Sequence, residues 1–396
     1  MTNGRLVPHL QGLGTTIFAE MSALAIETGA INLGQGFPDV DGPEAVAERA
    51  VSAIRSGLGN QYPPGPGILE LREAVATHQL RAYGISLDPD RQVLVTAGAT
   101  EAIAAAMLAF VDQGDEVVAL EPYYDCYRAA ITMARGRPVP VRLEVPDFRL
   151  DPQRLRDAVG PRTRAIMLNS PHNPTGAVLG RAELQHIADV ALENDLIVVA
   201  DEVYEHLAFD EAHIPISTLP GMSERTVTIS SSGKTFSFTG WKIGWVTGPA
   251  DLVASVRTTK QFLTFVNGGP FQYGIAYALT EQLPWVEGLR ESLADRRDLL
   301  TNGLDDLGLR AHRPRGTYFV TTDIRPLGWD DANAFCRELP HRAGVVAVPC
   351  DVFYDQPGDA ERALVRWTFS KRESVLTDAL GRLHQADLTP SSGPGT

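Results

Sequence analysis

Two lysines are the residues of this chain best suited to covalent chemistry. Only four of its 35 basic residues are lysines, and two of them, Lys234 and Lys242, lie eight residues apart in the Ser/Gly-rich segment 230–245. A lysine amine can lose its proton and form a Schiff base, whereas an arginine guanidinium cannot. Lysine placed here, in a chain that otherwise uses arginine, indicates amine chemistry, with chance placement as the alternative. The segment lacks the glycine spacing of a Walker A loop.

Polar and aromatic side chains follow three other apolar runs. Asp201 and Tyr204 come directly after LIVVA, Asn173 lies in the turn SPHNPTG after AIMLN, and Tyr124 follows VVALEP. A carboxylate at such a position needs a cationic partner, because burial of an unpaired charge is costly. The alternatives are a helix cap for Asp201, a simple turn for Asn173 and ring packing for Tyr124. The functional interpretation is a planar cofactor whose protonated ring nitrogen faces Asp201.

Small residues open the helix that follows a fourth run, VLVT. Ala99 and Thr100 lie at the start of this predicted helix, AGATEAIAAAMLAF. Free backbone N–H groups at a helix N-terminus, with no bulky side chains around them, can bind a phosphate. A tight strand–helix turn that binds nothing is the alternative.

The elements that must position these residues follow from five apolar runs, QVLVTAG, DEVVALEP, RAIMLNSP, LIVVADE and RTVTISS. Each is continuous rather than alternating, which is typical of strands buried on both faces of a mostly parallel sheet. The spacing predicts a doubly wound α/β domain, whose ligands bind beyond the carboxyl ends of the strands. We predict a large domain over 42–283, a smaller α+β domain over 284–387 that the arm 1–41 joins, and a disordered tail over 388–396.

Composition and charge exclude several classes of protein. Hydrophobic residues make up 44% of the 396 residues and charged residues 21%, which is typical of globular chains. A formal charge of −14 opposes binding to nucleic acid or anionic lipid. The three cysteines have no metal-binding or disulfide spacing, and no apolar stretch resembles a signal peptide or a membrane span. We therefore expect a cytoplasmic protein without a metal site, bound neither to nucleic acid nor to membrane.

Taken together, the motifs resemble those of fold-type I pyridoxal-phosphate (PLP) enzymes of the class I/II aminotransferase family. The resemblance extends from about residue 15 to residue 383. It is strongest toward the branch of kynurenine, glutamine and methionine transaminases and actinobacterial N-succinyldiaminopimelate aminotransferases. Eight stretches in family order carry it: NLGQGFPD, NQYPPGPG, VTAGATEA, EPYYDCY, NSPHNPTG, ADEVYEH, SSSGKTFSFTGWKIGW and VRWTFSKR.

This resemblance implies a role for each residue around the cofactor. Lys234 would hold PLP as a Schiff base and, once released by substrate, move the proton at the substrate Cα. Asp201 would pair with the ring nitrogen and Tyr124 would stack on the ring. Asn173 and Tyr204 would hold the ring hydroxyl. The phosphate would lie against Ala99, Thr100, Ser231 and Lys242, with Tyr62 reaching it from the partner subunit of a homodimer.

The resemblance also implies a substrate side. Arg366 would bind the substrate α-carboxylate, since a planar guanidinium suits two-point binding of a carboxylate. Gly36 and Phe18 would line the substrate site, and Phe265 would do so from the other subunit. The sequence shows no second arginine that must bind a distal carboxylate.

The expected activity is transfer of an amino group from an L-amino acid, glutamate above all, to a 2-oxo acid. Overall similarity to the actinobacterial enzymes makes N-succinyldiaminopimelate aminotransfer, a reaction of lysine biosynthesis, the first expectation for the substrate. Kynurenine, methionine or glutamine aminotransfer and cysteine-conjugate β-elimination remain alternatives. A ligand-sensing regulator is disfavoured because no basic DNA-binding domain is added to the chain. A nicotinamide dehydrogenase is disfavoured because Gly34 and Gly36 run into Phe-Pro-Asp rather than into a helix.

Overall fold

The computed structural model describes residues 6–11, 13 and 16–390. Its strands, in chain order, are β1 (Ile31–Asn32), β2 (Val93–Thr96), β3 (Glu116–Glu121), β4 (Arg137–Arg142), β5 (Thr163–Asn169), β6 (Ile197–Asp201), β7 (Thr226–Ser231), β8 (Gly244–Thr247), β9 (Arg310–His312), β10 (Phe319–Asp323), β11 (Val345–Val346), β12 (Val348–Pro349) and β13 (Leu364–Thr368).

The helices are α1 (Ile17–Thr28), α2 (Glu44–Ser56), α3 (Leu69–Tyr83), α4 (Gly98–Phe110), α5 (Asp125–Met133), α6 (Pro152–Ala158), α7 (Arg181–Glu193), α8 (Ser232–Thr235), α9 (Ala250–Lys260), α10 (Gly269–Glu281), α11 (Leu283–Asp306), α12 (Ala332–Ala343), α13 (Asp359–Arg362) and α14 (Glu373–Gln385). Among the described residues, no helix is both long and apolar enough to cross a membrane.

A seven-stranded sheet forms the centre of the fold, in the order β2-β8-β7-β6-β5-β3-β4. Its strands run parallel except β8, which is antiparallel to both neighbours. Both faces are covered: in β3, Val117 and Ala119 belong to one hydrophobic core, and Val118 and Leu120 belong to another. This two-sided burial explains why the apolar runs are continuous. The doubly wound, mostly parallel α/β architecture predicted for the large domain is confirmed.

Two strands of this sheet were not among the predicted runs. The first, β4, reads RPVPVR and lies at the edge of the sheet. Proline has no N–H to donate, and an edge strand tolerates it because no further strand lies on its open side to accept that hydrogen bond. The second, β8, has only four residues and follows the turn that contains Lys242. Both lack the long Val/Ile/Leu runs on which the sequence prediction depended.

A second, four-stranded antiparallel sheet has the order β12-β13-β10-β9. Helices α11, α12 and α14 pack near it, and β1 pairs in parallel with β11 beside it. The segment before the large sheet thus contacts the C-terminal region, as the sequence suggests for the arm. The domain boundaries themselves stay a prediction.

The chain end differs from the predicted tail. We expected disorder from residue 388 onward, but Leu388 is buried and its carbonyl accepts a hydrogen bond from Trp329 Nε1 at 2.7 Å. The apolar side chain of Leu388 is buried, and the Trp329 indole fixes its carbonyl. The Pro/Ser/Gly composition of the residues that follow gave no sign of this packing. Residues 391–396 of the predicted tail, and residues 1–5, 12, 14 and 15 of the predicted arm, lie outside the described residues.

Candidate active site

One cavity of about 920 Å³ collects most of the predicted site residues. It lies beyond the carboxyl ends of the parallel strands, where an open α/β sheet binds its ligands. Twelve of the fourteen predicted residues line it: Phe18, Gly36, Ala99, Thr100, Tyr124, Asn173, Asp201, Tyr204, Ser231, Lys234, Lys242 and Arg366.

Asp201, the last residue of β6, places a buried carboxylate in the cavity wall. Its Oδ2 accepts a hydrogen bond from Tyr127 Oη at 2.6 Å, and its Oδ1 accepts one from Val203 N at 3.2 Å. Burial raises the pKa of Asp201 to about 6, although these hydrogen bonds and the charge of Lys234 act to lower it. A carboxylate so poorly solvated is stabilised by any cation that approaches it within the cavity.

Lys234 lies on the short helix α8, directly after β7. Its Nζ is 3.5 Å from the Gly36 carbonyl oxygen and 5.8 and 5.6 Å from the ring centres of Tyr204 and Tyr318. Among the described residues it forms no ion pair, so no carboxylate fixes its amine. The lysine is half-buried, faces the cavity and can form a bond to a ligand there.

Tyr204 lies three residues beyond Asp201 and is buried. Its ring meets the Tyr318 ring edge-on at 5.4 Å between centroids. Burial, together with the charge and hydrogen bond of Tyr318, raises the pKa of Tyr204 well above its ordinary value. Tyr318 Oη in turn donates to the Gly36 carbonyl oxygen at 2.6 Å. The Tyr204 hydroxyl therefore stays protonated and can serve as a hydrogen-bond donor in the cavity.

Arg366, in β13, is buried to 1% exposure without a carboxylate partner among the described residues. Its Nη1 donates to Asn173 Oδ1 at 3.0 Å and its Nη2 donates to the Gly34 carbonyl oxygen at 2.8 Å, while its Nε has no partner. The guanidinium lies over the Phe319 ring at 4.1 Å. Burial lowers the pKa of Arg366, because desolvation disfavours its charge. A buried cation held in this way is a binding site for an anion.

Asn173 is positioned by the strand next to β6. Its backbone N donates to Asn169 Oδ1 at 2.8 Å, and Asn169 Nδ2 donates to the Asp201 carbonyl oxygen at 2.9 Å. The Asn173–Pro174 peptide bond is cis. These contacts connect the Asn-Pro turn, the end of β6 and the buried arginine in one hydrogen-bonded unit.

A cradle of small residues forms the opposite end of the cavity. Helix α4 begins at Gly98, whose φ is +74°, and Lys242 also adopts a left-handed conformation at φ +54°. A Cβ on Gly98 would lie 3.4 Å from Lys242 Nζ, and one on Gly244 would lie only 2.7 Å from the Gly98 carbonyl carbon. The backbone at Gly98 and Gly244 and the ammonium of Lys242 therefore approach one another closely beside Ala99 and Thr100. Binding of a phosphate requires such a close approach.

Tyr62 and Phe265 do not line this cavity. They are 82% and 48% exposed and their rings meet edge-on at 5.6 Å between centroids. Within one chain they form an aromatic pair on the surface. The sequence predicts that both act on the site of a partner subunit, and that prediction stays open.

Several functional contacts were not predicted from the sequence. Tyr127 donates a hydrogen bond to Asp201, and Tyr318 donates one to the Gly36 carbonyl oxygen. Asn169 connects the Asn-Pro turn to the end of β6. Tyr127 lies in the quoted motif EPYYDCY, but only the fold shows which of its three tyrosines reaches the carboxylate. Tyr318 directly precedes β10 of the second sheet, so no local pattern could link it to the site.

The cavity fits PLP, the cofactor expected from the sequence. It offers a half-buried amine for the aldehyde, a desolvated carboxylate for the ring nitrogen and a glycine-bounded cradle for the phosphate. Tyr124 supplies a ring at the cavity wall, and its own edge meets the Tyr127 ring at 6.0 Å between centroids. The orphaned Nε of Arg366 adds a donor for a carboxylate beside the cofactor.

Comparisons with known proteins agree with this geometry. The family model "Aminotransferase class I and II" matches residues 28–383. A probable N-succinyldiaminopimelate aminotransferase of Mycobacterium tuberculosis is 52% identical over 394 residues, which cover 97% of this chain and 98% of that protein. The methionine aminotransferase of Escherichia coli is 40% identical over 97% of this chain and 100% of its own. The solved structure of N-succinyldiaminopimelate aminotransferase from Mycobacterium tuberculosis has a TM-score of 0.93 at 53% identity and covers 96% of this chain and 99% of its own.

Proposed function

Because this chain belongs to the aminotransferase class I and II family and is a PLP-dependent aminotransferase, we propose that it transfers the amino group of glutamate to the 2-oxo acid that yields N-succinyldiaminopimelate. The observation that carries the site assignment is the convergence of Lys234, Asp201 and Arg366 in one cavity. The substrate assignment is supported by the Mycobacterium tuberculosis relative, which shares half of its residues with this chain.

Bound PLP supplies an electron-withdrawing ring that stabilises negative charge at the substrate Cα. Asp201, which is buried and accepts a hydrogen bond from Tyr127, would pair with the ring nitrogen and keep it protonated. Asn173 and Tyr204 would donate to the ring hydroxyl, and Tyr124 would stack on the ring. Each of these side chains lines the cavity.

Lys234 holds the cofactor between turnovers and acts as a general base and acid during them. With PLP bound, its amine would take the proton from the substrate Cα and return it to the cofactor carbon that receives the amino group. Since no carboxylate of the described residues pairs with Lys234, its amine is free to move between these two positions. The Gly36 carbonyl and the rings of Tyr204 and Tyr318 confine that movement to the cavity.

Arg366 orients the substrate through its α-carboxylate. Its Nε is unpartnered, and Nη1 and Nη2 each keep a second hydrogen beyond the bonds to Asn173 and Gly34. Phe18 and Phe319 flank the guanidinium at 5.0 and 4.1 Å, which excludes water from the ion pair. A carboxylate bound here places the Cα of an amino acid toward Lys234.

Ala99, Thr100, Ser231 and Lys242, which line the cavity, would hold the phosphate of the cofactor. We further propose a homodimer in the cytoplasm, in which the aromatic pair Tyr62 and Phe265 completes the site of the partner subunit. Exposure of two large rings side by side supports such an interface. All three cysteines are free thiols, which fits a reducing compartment. Sedimentation of the holoenzyme should give twice the chain mass of 42.9 kDa, and a mass of one chain would refute the dimer.

The function is tested by single-turnover spectroscopy of the holoenzyme. Glutamate should convert the near-visible cofactor band to that of the amino form, and the 2-oxo precursor of N-succinyldiaminopimelate should restore it. Methionine, kynurenine and glutamine serve as competing donors. Faster restoration by the 2-oxo acid of one of these would replace the substrate assignment. Pyruvate released from a cysteine conjugate without an amino acceptor would identify a β-lyase instead.

A further inference from the structure

Four cationic side chains line the cavity among the described residues: Lys234, Lys242, Arg128 and Arg366. The proposed function uses three of them, for the cofactor aldehyde, the cofactor phosphate and the substrate α-carboxylate. Arg128 has no role in that scheme. It is also an arginine that the sequence does not single out.

Arg128 lies on α5, whose residues form a continuous part of the cavity wall. Its side chain is 54% exposed, so the guanidinium is at the solvent end of the cavity. Its Nη1 is 3.3 Å from Asp355 Oδ1, and the same oxygen accepts a hydrogen bond from Tyr123 Oη at 2.6 Å. Asp355 therefore fixes one side of the Arg128 guanidinium, while most of the five N–H donors of the guanidinium stay available.

The cavity that contains Arg128 and Arg366 has a partly apolar wall. Aliphatic and aromatic side chains from the N-terminal segment, from α5 and from the turn after β12 line it: Leu13, Ile17, Phe18, Ala129, Met133, Val352 and Phe353. Such walls suit methylene groups, whose removal from water is favourable. The cavity volume of about 920 Å³ is near the upper end of ligand pockets, which span about 300–1,000 Å³. It thus has room for a long side chain beside the cofactor.

We propose that Arg128 binds a carboxylate at the far end of the substrate side chain, so that the site favours amino acids with a second carboxylate on an aliphatic chain. This inference rests on the proposed function and specifies its substrate class. N-succinyldiaminopimelate belongs to that class, because it carries carboxylates beyond the reacting end. A guanidinium is suited to this task, since its planar donors match a carboxylate.

Asp355 competes with the substrate for Arg128. Its carboxylate occupies one side of the guanidinium, and a substrate carboxylate must share or replace that contact. Substitution Asp355→Asn keeps an oxygen for Tyr123 but removes the competing charge. The two substitutions Arg128→Gln and Asp355→Asn should therefore change selectivity in opposite directions, which a merely structural role of either residue would not do.

The test measures kcat/KM of the holoenzyme for L-2-aminopimelate, which has a distal carboxylate, and for L-norleucine, which lacks one. Arg149→Gln is the matched control. The Arg149 side chain is 53% exposed and its Nη1 is 3.2 Å from Glu183 Oε2, which is similar to the pair of Arg128 and Asp355, but Arg149 does not line the cavity. We expect Arg128→Gln to lower the aminopimelate-to-norleucine ratio about tenfold, through the loss of one charge-assisted contact. Asp355→Asn should raise the ratio, and Arg149→Gln should leave it unchanged.

The possible results separate this inference from the function on which it rests. A ratio unchanged by Arg128→Gln, or lowered equally by Arg149→Gln, would overturn the role of Arg128 while turnover of norleucine still supports an aminotransferase. Conversion of neither compound by a wild-type enzyme that converts glutamate and the 2-oxo precursor would overturn the distal site alone, whereas failure with glutamate and the precursor as well would overturn the proposed function. Raised aminopimelate turnover in Asp355→Asn together with lowered turnover in Arg128→Gln would establish the distal site.

Discussion

Substitution of Arg366 by glutamine removes the cation on which substrate binding depends. Arg366 is buried to 1% exposure and holds Asn173 and the Gly34 carbonyl with two of its hydrogens. Its Nε remains unpartnered. Glutamine keeps polar atoms near these groups but has no charge and a shorter reach. The substrate α-carboxylate then loses both an opposite charge and a two-point hydrogen-bonding partner.

The expected size of the effect follows from those lost contacts. A hydrogen bond to a charged group contributes about 1.5–3 kcal/mol, so two such bonds contribute about 3–6 kcal/mol. Since about 1.4 kcal/mol corresponds to a factor of ten, kcat/KM for every amino donor should fall by about 10² to 10⁴. The cofactor band should persist, because Arg366 contacts the substrate side of the cavity rather than the phosphate cradle.

Stopped-flow conversion of the cofactor band by glutamate measures this loss, and Arg296→Gln provides the matched control. Arg296 is also buried and donates to three backbone carbonyls, those of Ser292, Ser370 and Lys371, but it does not line the cavity. We expect Arg296→Gln to lower the melting temperature and leave kcat/KM of the folded enzyme near the wild-type value. A loss in Arg366→Gln of less than threefold, or an equal loss in Arg296→Gln, would refute the role of Arg366.

Two further predictions follow from the cofactor end of the cavity. In the cofactor-free protein, folded Asp201 keeps its proton up to about pH 6, whereas the unfolded chain releases it near 3.8. The free energy of unfolding, relative to Asp201→Asn, should therefore decrease by about 2 kcal/mol as pH rises from 4 to 6, and chemical denaturation measures it. Gly244→Ala should weaken PLP binding because its Cβ would lie 2.7 Å from the Gly98 backbone. Gly240→Ala, with nothing within 4 Å, should not, and equal PLP affinities in a titration would contradict the cradle.

The sequence predicts the large sheet well because burial on both faces leaves an uninterrupted apolar pattern. The five predicted runs are five of its seven strands, and the polar residues after them meet in one cavity. Strands β4 and β8 were not predicted, because the prolines of β4 and the short length of β8 weaken the apolar pattern. The predicted tail was wrong at Leu388, where tertiary packing outweighs a loop-like composition.

Residues from the second sheet were harder to predict from local pattern. Arg366 was identified through family resemblance alone, since its partner Asn173 lies 193 residues away and only the tertiary fold brings the two together. Tyr318 was missed for the same reason, and Arg128, on α5, was missed because no local pattern shows that its side chain faces the cavity. Their roles depend on which side chains the fold places opposite them, and periodicity carries no such information.

The central claim, that Lys234 holds the cofactor, has a direct chemical test. The holoenzyme is reduced with borohydride, digested and analysed by mass spectrometry, with the four lysines Lys234, Lys242, Lys260 and Lys371 as the possible sites of attachment. We predict that the reduced cofactor is found on Lys234 alone and that Lys234→Ala carries none. Attachment to Lys242 or another lysine, or an unlabelled protein after addition of PLP, would contradict the account.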